Sequence, residues 1–154
     1  KLKELDPEAA PAAAPQTAAP LQTLVVRIFS FSFHRGMPKD DSGNGGGFVF
    51  DARSLPNPGR EEQYKSLTGK DQPVISYLEH LESVQRFIKS AEALVDASVQ
   101  EYRRRGFNSL MVSFGCTGGQ HRSVYLAEQM AKHLRSQSGL AIELRHINLE
   151  AMGK

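Results

Sequence analysis

The chain has few of the residues that build disulfide frameworks, metal centres or membrane spans. It contains one cysteine in 154 residues, so no internal disulfide can form, which fits a reducing compartment. Its 5 histidines form no i, i+3 or i+4 ligand pair on one helix, so we predict no metal site. No signal peptide and no apolar run of membrane-spanning length is present. These absences predict a cytoplasmic domain without a membrane partner.

A Walker nucleotide-binding motif is also missing from the sequence. The glycine-rich stretch 43–47 is followed by neither a Lys-Ser/Thr pair nor a helical pattern, and we interpret it as a flexible connection. We therefore predict no cofactor for this chain alone; ATP or GTP would need an upstream nucleotide-binding domain. The net charge of +2 is too small to argue for a polyanionic partner from the total.

Composition divides the chain into two parts. Residues 1–20 are rich in proline and alanine, which cannot bury enough apolar surface to offset their ordering entropy, so a disordered linker is predicted there. That linker, with a first residue other than methionine, predicts another domain upstream. Residues 21–154 are predicted to form one ligand-binding domain with a single core.

The apolar pattern predicts an α/β domain with a small, mostly parallel sheet of about four strands. Strand patterns occupy residues 24–33, 48–50, 109–114 and 140–147. A helical period extends over about 72–105, which is long for one globular helix, so a kink or a break is expected. The unit 109–147 is predicted to be strand, glycine-rich loop, helix and strand, with a right-handed parallel crossover.

The loop of that unit, residues 116–122, has the composition of a phosphate-binding loop, and we call it the cradle. Gly118 and Gly119 allow the backbone to approach an anion closely. The following helix directs unpaired N–H groups and the positive end of its dipole at the same point. Arg122, in the first turn, can hold two oxygens of one phosphate. His121 is a phosphate donor, a supporting residue or simply exposed, and the sequence does not choose among these.

Three predicted strands end in polar or charged residues. If all strands are parallel, Arg35, Asp51, Arg53 and Arg122 meet at one edge of the sheet, where open α/β sheets bind ligands. Asp51 could then receive a hydroxyl or an amine of a phosphate ester. The alternative is that Asp51 and Arg53 mainly fix the loop at 54–59.

A second interpretation of the cradle is enzymatic. Cys116 and Arg122-Ser123 have the spacing of the tyrosine-phosphatase loop, in which a thiolate attacks phosphorus. In that alternative Cys116 is the nucleophile and Asp51 a possible acid. Gly115 departs from the signature, which usually has a histidine before the cysteine. The plain alternative is that Cys116 is a small buried residue at a strand end.

Four motifs in order resemble the C-terminal domain of the RapZ (RNase adapter protein) family. They are SFHRGMP at 32–38, FVFDARSLPNP at 48–58, LTGKD at 67–71 and GCTGGQHRSV at 115–124. The resemblance implies a metabolite sensor and adapter that follows a nucleotide-binding or phosphotransferase-like domain. It implies binding of glucosamine-6-phosphate and of small regulatory RNA. Whether the chain is an enzyme stays open at this point, and for this domain alone we expect binding rather than catalysis.

The resemblance places sugar-phosphate contacts on Thr117, Gly118 and Arg122, in agreement with the cradle. Two departures from the family are visible: Gly59 stands where relatives often have a histidine, and the C-terminus lacks the family's basic cluster. The second departure weakens the expectation of RNA binding, because salt-dependent affinity for RNA comes from neutralised phosphates. The candidates for RNA contacts are the C-terminus and the basic residues Arg103, Arg104, Arg105, Lys132, Arg135 and Arg145. The complete set of predicted ligand-binding residues is Arg35, Asp51, Arg53, Asn57, Thr117, Gly118, Gly119, Gln120, His121, Arg122 and Ser123.

Overall fold

The computed structural model describes residues 23–154, which form a four-stranded sheet with helices packed on it. The predicted linker at 1–20 lies outside the described residues. The strands are β1 (Leu24–Ser32), β2 (Phe48–Asp51), β3 (Ser109–Cys116) and β4 (Leu140–His146). The helices are α1 (Gln72–Glu79), α2 (Glu82–Arg104), α3 (Arg122–Arg135) and α4 (Ile147–Ala151). The predicted α/β class is confirmed.

All neighbouring strands are parallel, in the order β2-β3-β1-β4. The two central strands have the longest apolar runs, and every residue of β3 is buried, as expected for a strand with neighbours on both sides. The edge strand β4 alternates half-buried and exposed residues instead. The sheet therefore has its carboxyl ends along one edge, as the sequence predicted.

The predicted break in the long helical segment occurs at His80 and Leu81, between α1 and α2. Leu81 has an extended backbone (φ −87°, ψ 121°), and the Gln85 side chain donates to the carbonyl of Glu79 at 3.0 Å. The apolar faces of both helices enter one core with the sheet and α3. The break thus allows both helices to place their apolar faces on the same core.

One helix was not predicted. The apolar alternation of β4 ends at His146, and the next residues turn into α4, with Asn148 and Leu149 buried. A segment this short has too little periodicity to distinguish it from a strand end. Its position matters because it follows the carboxyl end of β4.

Candidate functional site

The carboxyl ends of the three neighbouring strands bring the predicted site together. In the strand register, Ser32 of β1 is paired with Cys116 of β3, and Asp51 of β2 is paired with Gly115. The loop from Thr117 therefore leaves the sheet between the ends of β1 and β2. This is the crevice in which parallel sheets place their ligands.

Two buried side chains hold the cradle loop from behind. Ser32 Oγ donates to the Thr117 carbonyl at 2.7 Å, and Asn148 Nδ2 donates to the Gly118 carbonyl at 2.7 Å. In a planar trans peptide the N–H points opposite to the C=O. The N–H groups of Gly118 and Gly119 therefore point away from the protein, and within residues 23–154 neither has an acceptor. These two donors are available to an anion.

Gly119 is required by this geometry. Its φ is +65°, and an added Cβ would lie 2.8 Å from Ser32 N and 2.9 Å from Asn148 Cβ. Gly118 differs, because a Cβ there would meet no atom within 4 Å. The first glycine leaves room for a ligand, whereas the second allows the loop to pack on the sheet.

The next two residues support the loop. Gln120 Nε2 donates to the carbonyls of Lys65 and Leu67, both at 2.8 Å. His121 is 8% exposed, and its Nε2 donates to the Tyr64 carbonyl at 2.7 Å. Burial lowers the pKa of His121, so the ring is neutral at pH 7. Both side chains thus fix the cradle against the segment 64–69.

Arg122 ties the cradle to the loop after β2. The side chain is buried, and its Nη1 donates to the carbonyls of Arg53 and Leu55, both at 2.9 Å. Its Nη2 lies 3.5 Å from Thr117 Oγ1, and its Nε is buried without a partner in the described chain. One nitrogen of the guanidinium is thus held by the protein, and the residue also lines a cavity.

That cavity, of about 440 Å³, lies between the cradle and the loop after β2. Thr117 and Arg122 line one side. The other side is formed by Arg53, Ser54, Leu55, Pro56, Asn57 and Arg60. Asn57 also accepts from the Gly59 N–H at 2.9 Å and so fixes a 3₁₀ turn, Pro58–Arg60. The cavity is large enough for a small phosphate ester and lies at the amino end of α3.

Asp51 and Arg53 are paired at the edge of this cavity. Arg53 Nε and Nη2 lie 2.9 Å and 2.7 Å from the two oxygens of Asp51. The guanidinium also lies 4.0 Å above the centre of the Phe33 ring. The hydrogen bonds from Arg53 lower the pKa of Asp51. Asp51 is therefore ionised at neutral pH and already occupied by its neighbour.

Of the remaining predicted site residues, Ser123 is fully buried behind the cradle. Its Oγ lies 3.1 Å from Cys116 Sγ. Arg35 is exposed on the turn after β1 and does not line the cavity. The structure thus groups Thr117, Gly118 and Arg122 with the 53–60 loop, and separates them from Arg35.

The structure gives no support to the phosphatase interpretation. The Cys116 side chain belongs to a residue that is 2% exposed, and the proposed acid, Asp51, is held in its charged form. A Cβ at Gly115 would collide with the rings of Phe31 and Phe33, so this strand has no room for the histidine of that signature. Cys116 closes the strand as a buried residue.

The cations predicted to contact RNA are mostly engaged within the domain. Arg104 and Arg105 pair with Glu101, and Arg145 pairs with Glu150. Arg103 donates to the carbonyl of Ser138. Lys132 and Arg135 are exposed on α3. RNA binding stays a prediction.

Neither a membrane span nor a metal cluster is found in the described part of the chain. Among residues 23–154, no helix is both long and apolar enough to cross a bilayer. In the same range, no group of three or more His, Cys, Asp or Glu side chains could hold a metal ion.

A sequence profile described as the RapZ C-terminal domain matches residues 24–150. The chain belongs to this family. A nucleotide-binding protein of Shewanella amazonensis is 42% identical over 128 residues, which are 83% of this chain and 43% of that protein. One from Bifidobacterium adolescentis is 40% identical over 122 residues, 79% of this chain and 37% of that protein. The chain thus spans about two fifths of the length of these relatives.

Gly59, one of the two departures expected from the resemblance, lies against His121. A Cβ at this position would be 3.1 Å from His121 Nδ1 and 3.1 Å from Asn57 Oδ1. A larger residue would require these neighbours to shift by a few tenths of an ångström. In this chain the absence of a side chain at 59 lets the 3₁₀ turn pack directly on the start of α3.

Three residues that build the site were not predicted: Ser32, Asn148 and Arg60. Ser32 is a polar position in an alternating strand pattern, and that pattern does not indicate contact with a distant loop. Asn148 was missed because α4 was not recognised. For Arg60 a signal was present, because it follows Asn57, a predicted ligand-binding residue, by three positions.

Proposed function

We propose that this RapZ C-terminal domain is a regulatory domain that binds a phosphorylated small molecule of the glucosamine-6-phosphate type. The observation that carries the proposal is the pair of outward N–H groups at Gly118 and Gly119, held in place by Ser32 and Asn148. They lie at the amino end of α3, where the dipole favours an anion. The cavity beside them has space for the sugar.

The ligand set of this proposal is narrower than the predicted one. Thr117, Gly118, Gly119 and Arg122 contact the phosphate. Asn57 and Arg53 face the sugar. Gln120, His121 and Ser123 act behind the cradle by fixing its backbone. Asp51 acts by holding Arg53.

The adapter role concerns the longer protein. The family and the relatives' length support an upstream domain, and those relatives are named nucleotide-binding proteins. We propose that the occupied cradle signals the metabolite's presence to that domain. Binding by this chain is the step that can be tested in isolation.

The test is calorimetric titration of the chain with glucosamine-6-phosphate, glucosamine and inorganic phosphate. We expect the sugar phosphate to bind most tightly. Gly118→Ala is the sharpest variant, because its methyl group would enter open space in the protein and obstruct only the approach of the anion. We expect at least a tenfold loss of affinity with less than about 0.5 kcal/mol change in unfolding free energy.

Two results would contradict the proposal. One is a wild-type chain that binds none of the three compounds. The other is a Gly118→Ala chain that binds the sugar phosphate as tightly as the wild type. Arg122→Ala is a poorer probe, because loss of its bonds to Arg53 and Leu55 would disturb the loop itself.

A further inference from the structure

The cavity contains one cation whose side chain has neither a hydrogen bond nor an ion pair within residues 23–154. Arg53 is neutralised by Asp51, and Arg122 donates through Nη1 to two backbone carbonyls. The Arg60 side chain lines the same cavity, and within residues 23–154 it has no hydrogen bond or ion pair. An arginine beside a cluster of free N–H donors is an arrangement that recognises an oxyanion.

The backbone that carries Arg60 is fixed within its own turn and against His121. The Asn57 side chain caps the turn through the Gly59 N–H, and Pro58 is buried. The Arg60 N–H donates to the Asn57 carbonyl at 3.2 Å, and Gly59 lies against His121. The side chain is exposed, but its origin is held at the rim of the cavity. It can therefore close over a ligand without rearrangement of the main chain.

We propose that Arg60 is a ligand-binding residue that makes this site selective for a dianionic phosphate group. The inference rests on the proposed function and adds the charge state of the ligand to it. The cradle N–H groups are neutral donors and bind a monoanion or a dianion by shape. The unpaired guanidinium adds a full charge, which favours the phosphate monoester, with a charge of about −1.5 to −2 at pH 7.

Glucosamine-6-phosphate and glucosamine-6-sulfate separate these contributions. The two esters have nearly the same shape, but the sulfate carries only one negative charge. We expect the wild type to prefer the phosphate. In Arg60→Gln we expect affinity for the phosphate ester to fall roughly tenfold and affinity for the sulfate ester to fall less. The ratio of the two affinities should therefore decrease. Arg60→Lys should retain part of the preference for the phosphate ester.

Arg135→Gln is the matched control for the loss of charge. Arg135 is exposed at the last turn of the helix that begins at Arg122. Arg135 lies about 20 Å from Arg122 along the helix axis. This distance is greater than the Debye length at physiological salt, so the charge of Arg135 is screened from the cradle. We expect this variant to bind both esters as the wild type does.

The outcomes distinguish the two proposals. If the wild type binds the sugar phosphate and Arg60→Gln keeps both its affinity and its preference over the sulfate, the role of Arg60 is wrong and the site stands. If Arg60→Gln and Arg135→Gln lose the same amount of affinity for the sugar phosphate, the loss reflects the net charge of the domain and not a contact of Arg60. That result would overturn the inference. A wild type that binds neither ester overturns both proposals.

Discussion

The domain has two glycine-rich loops beside its sheet, and they differ in where their backbone N–H groups are directed. In the loop after β3, side chains from β1 and α4 hold the carbonyls, so the N–H groups point outward. In the loop before β2, the N–H groups of Ser42 and Gly46 both donate to the carboxylate of Asp40, at 2.8 Å. In the second loop these two N–H donors are therefore already bonded to a carboxylate of the same loop.

The two loops also lead into different elements. The first leads into the long helix α3, with its unpaired N–H groups and positive end. The second leads into the edge strand β2, which adds no comparable field. Glycine content therefore does not identify an anion site. The direction of the carbonyls and the type of the next element decide it.

The largest difference between the loops should appear when each receives a methyl group. Gly119→Ala places a Cβ against the backbone of β1 at a φ of +65°, so we expect it to lower the free energy of unfolding by about 2 kcal/mol or more. Gly45 has a φ of +81° but open space around it, so Gly45→Ala should cost only about 1 kcal/mol. Denaturant unfolding of both variants measures the difference. Equal losses would show that the first loop is not packed on β1.

Each loop has a hydrogen bond that involves an asparagine side chain, and the two asparagines provide the next comparison. Asn148 is buried and donates to Gly118 O, so Asn148→Ala should cost about 1–3 kcal/mol and free the peptide that directs the Gly119 N–H. Asn44 donates to Ser109 O at 3.2 Å from an exposed position, and its replacement should cost less than about 0.5 kcal/mol. We expect phosphate affinity to fall only in Asn148→Ala, measured by calorimetry at a temperature where both variants are folded. Unchanged affinity would mean that the cradle holds its shape without α4.

Periodicity was sufficient to predict most of the fold. A continuous apolar run predicts a buried strand at 109–114. A two-residue alternation of apolar and polar residues predicts a strand at 140–147. A break somewhere in the segment 72–105 was expected from its length alone, whereas its position at His80 and Leu81 was not predicted. The helix α4 was not predicted, because five residues contain little more than one turn of a helical repeat.

The candidate site was predictable where a motif carries its own geometry. Gly118, Gly119 and Arg122 follow one another closely between a strand and a helix, so their spacing predicts an anion cradle, to which the resemblance adds Thr117. Ser32 and Asn148 come from distant segments, and only the parallel register brings their side chains beneath that loop. Sequence spacing also could not show that Arg122 bonds to two carbonyls while the Arg60 side chain has no partner within residues 23–154.

The smallest expected effect is the pH response of the second loop. Hydrogen bonds from the Ser42 hydroxyl and from the Ser42 and Gly46 N–H groups hold the pKa of Asp40 below its usual value. A carboxylate whose pKa is lowered by folding stabilises the native state above its unfolded pKa, and this contribution is lost as pH falls through the folded pKa. Asp40→Asn should therefore flatten a small part of the stability loss below about pH 4. Asp41→Asn removes the same charge beside it but keeps the hydrogen bonds to Asp40, and it is the matched control. Denaturation at a series of pH values from neutral down through that range measures this.

Asp40→Asn also removes the negative charge that two N–H groups of this loop contact. We expect no phosphate binding there, because the variant adds neither a helix terminus nor an unpaired arginine. Phosphate binding by that variant would show that free amides alone make an anion site.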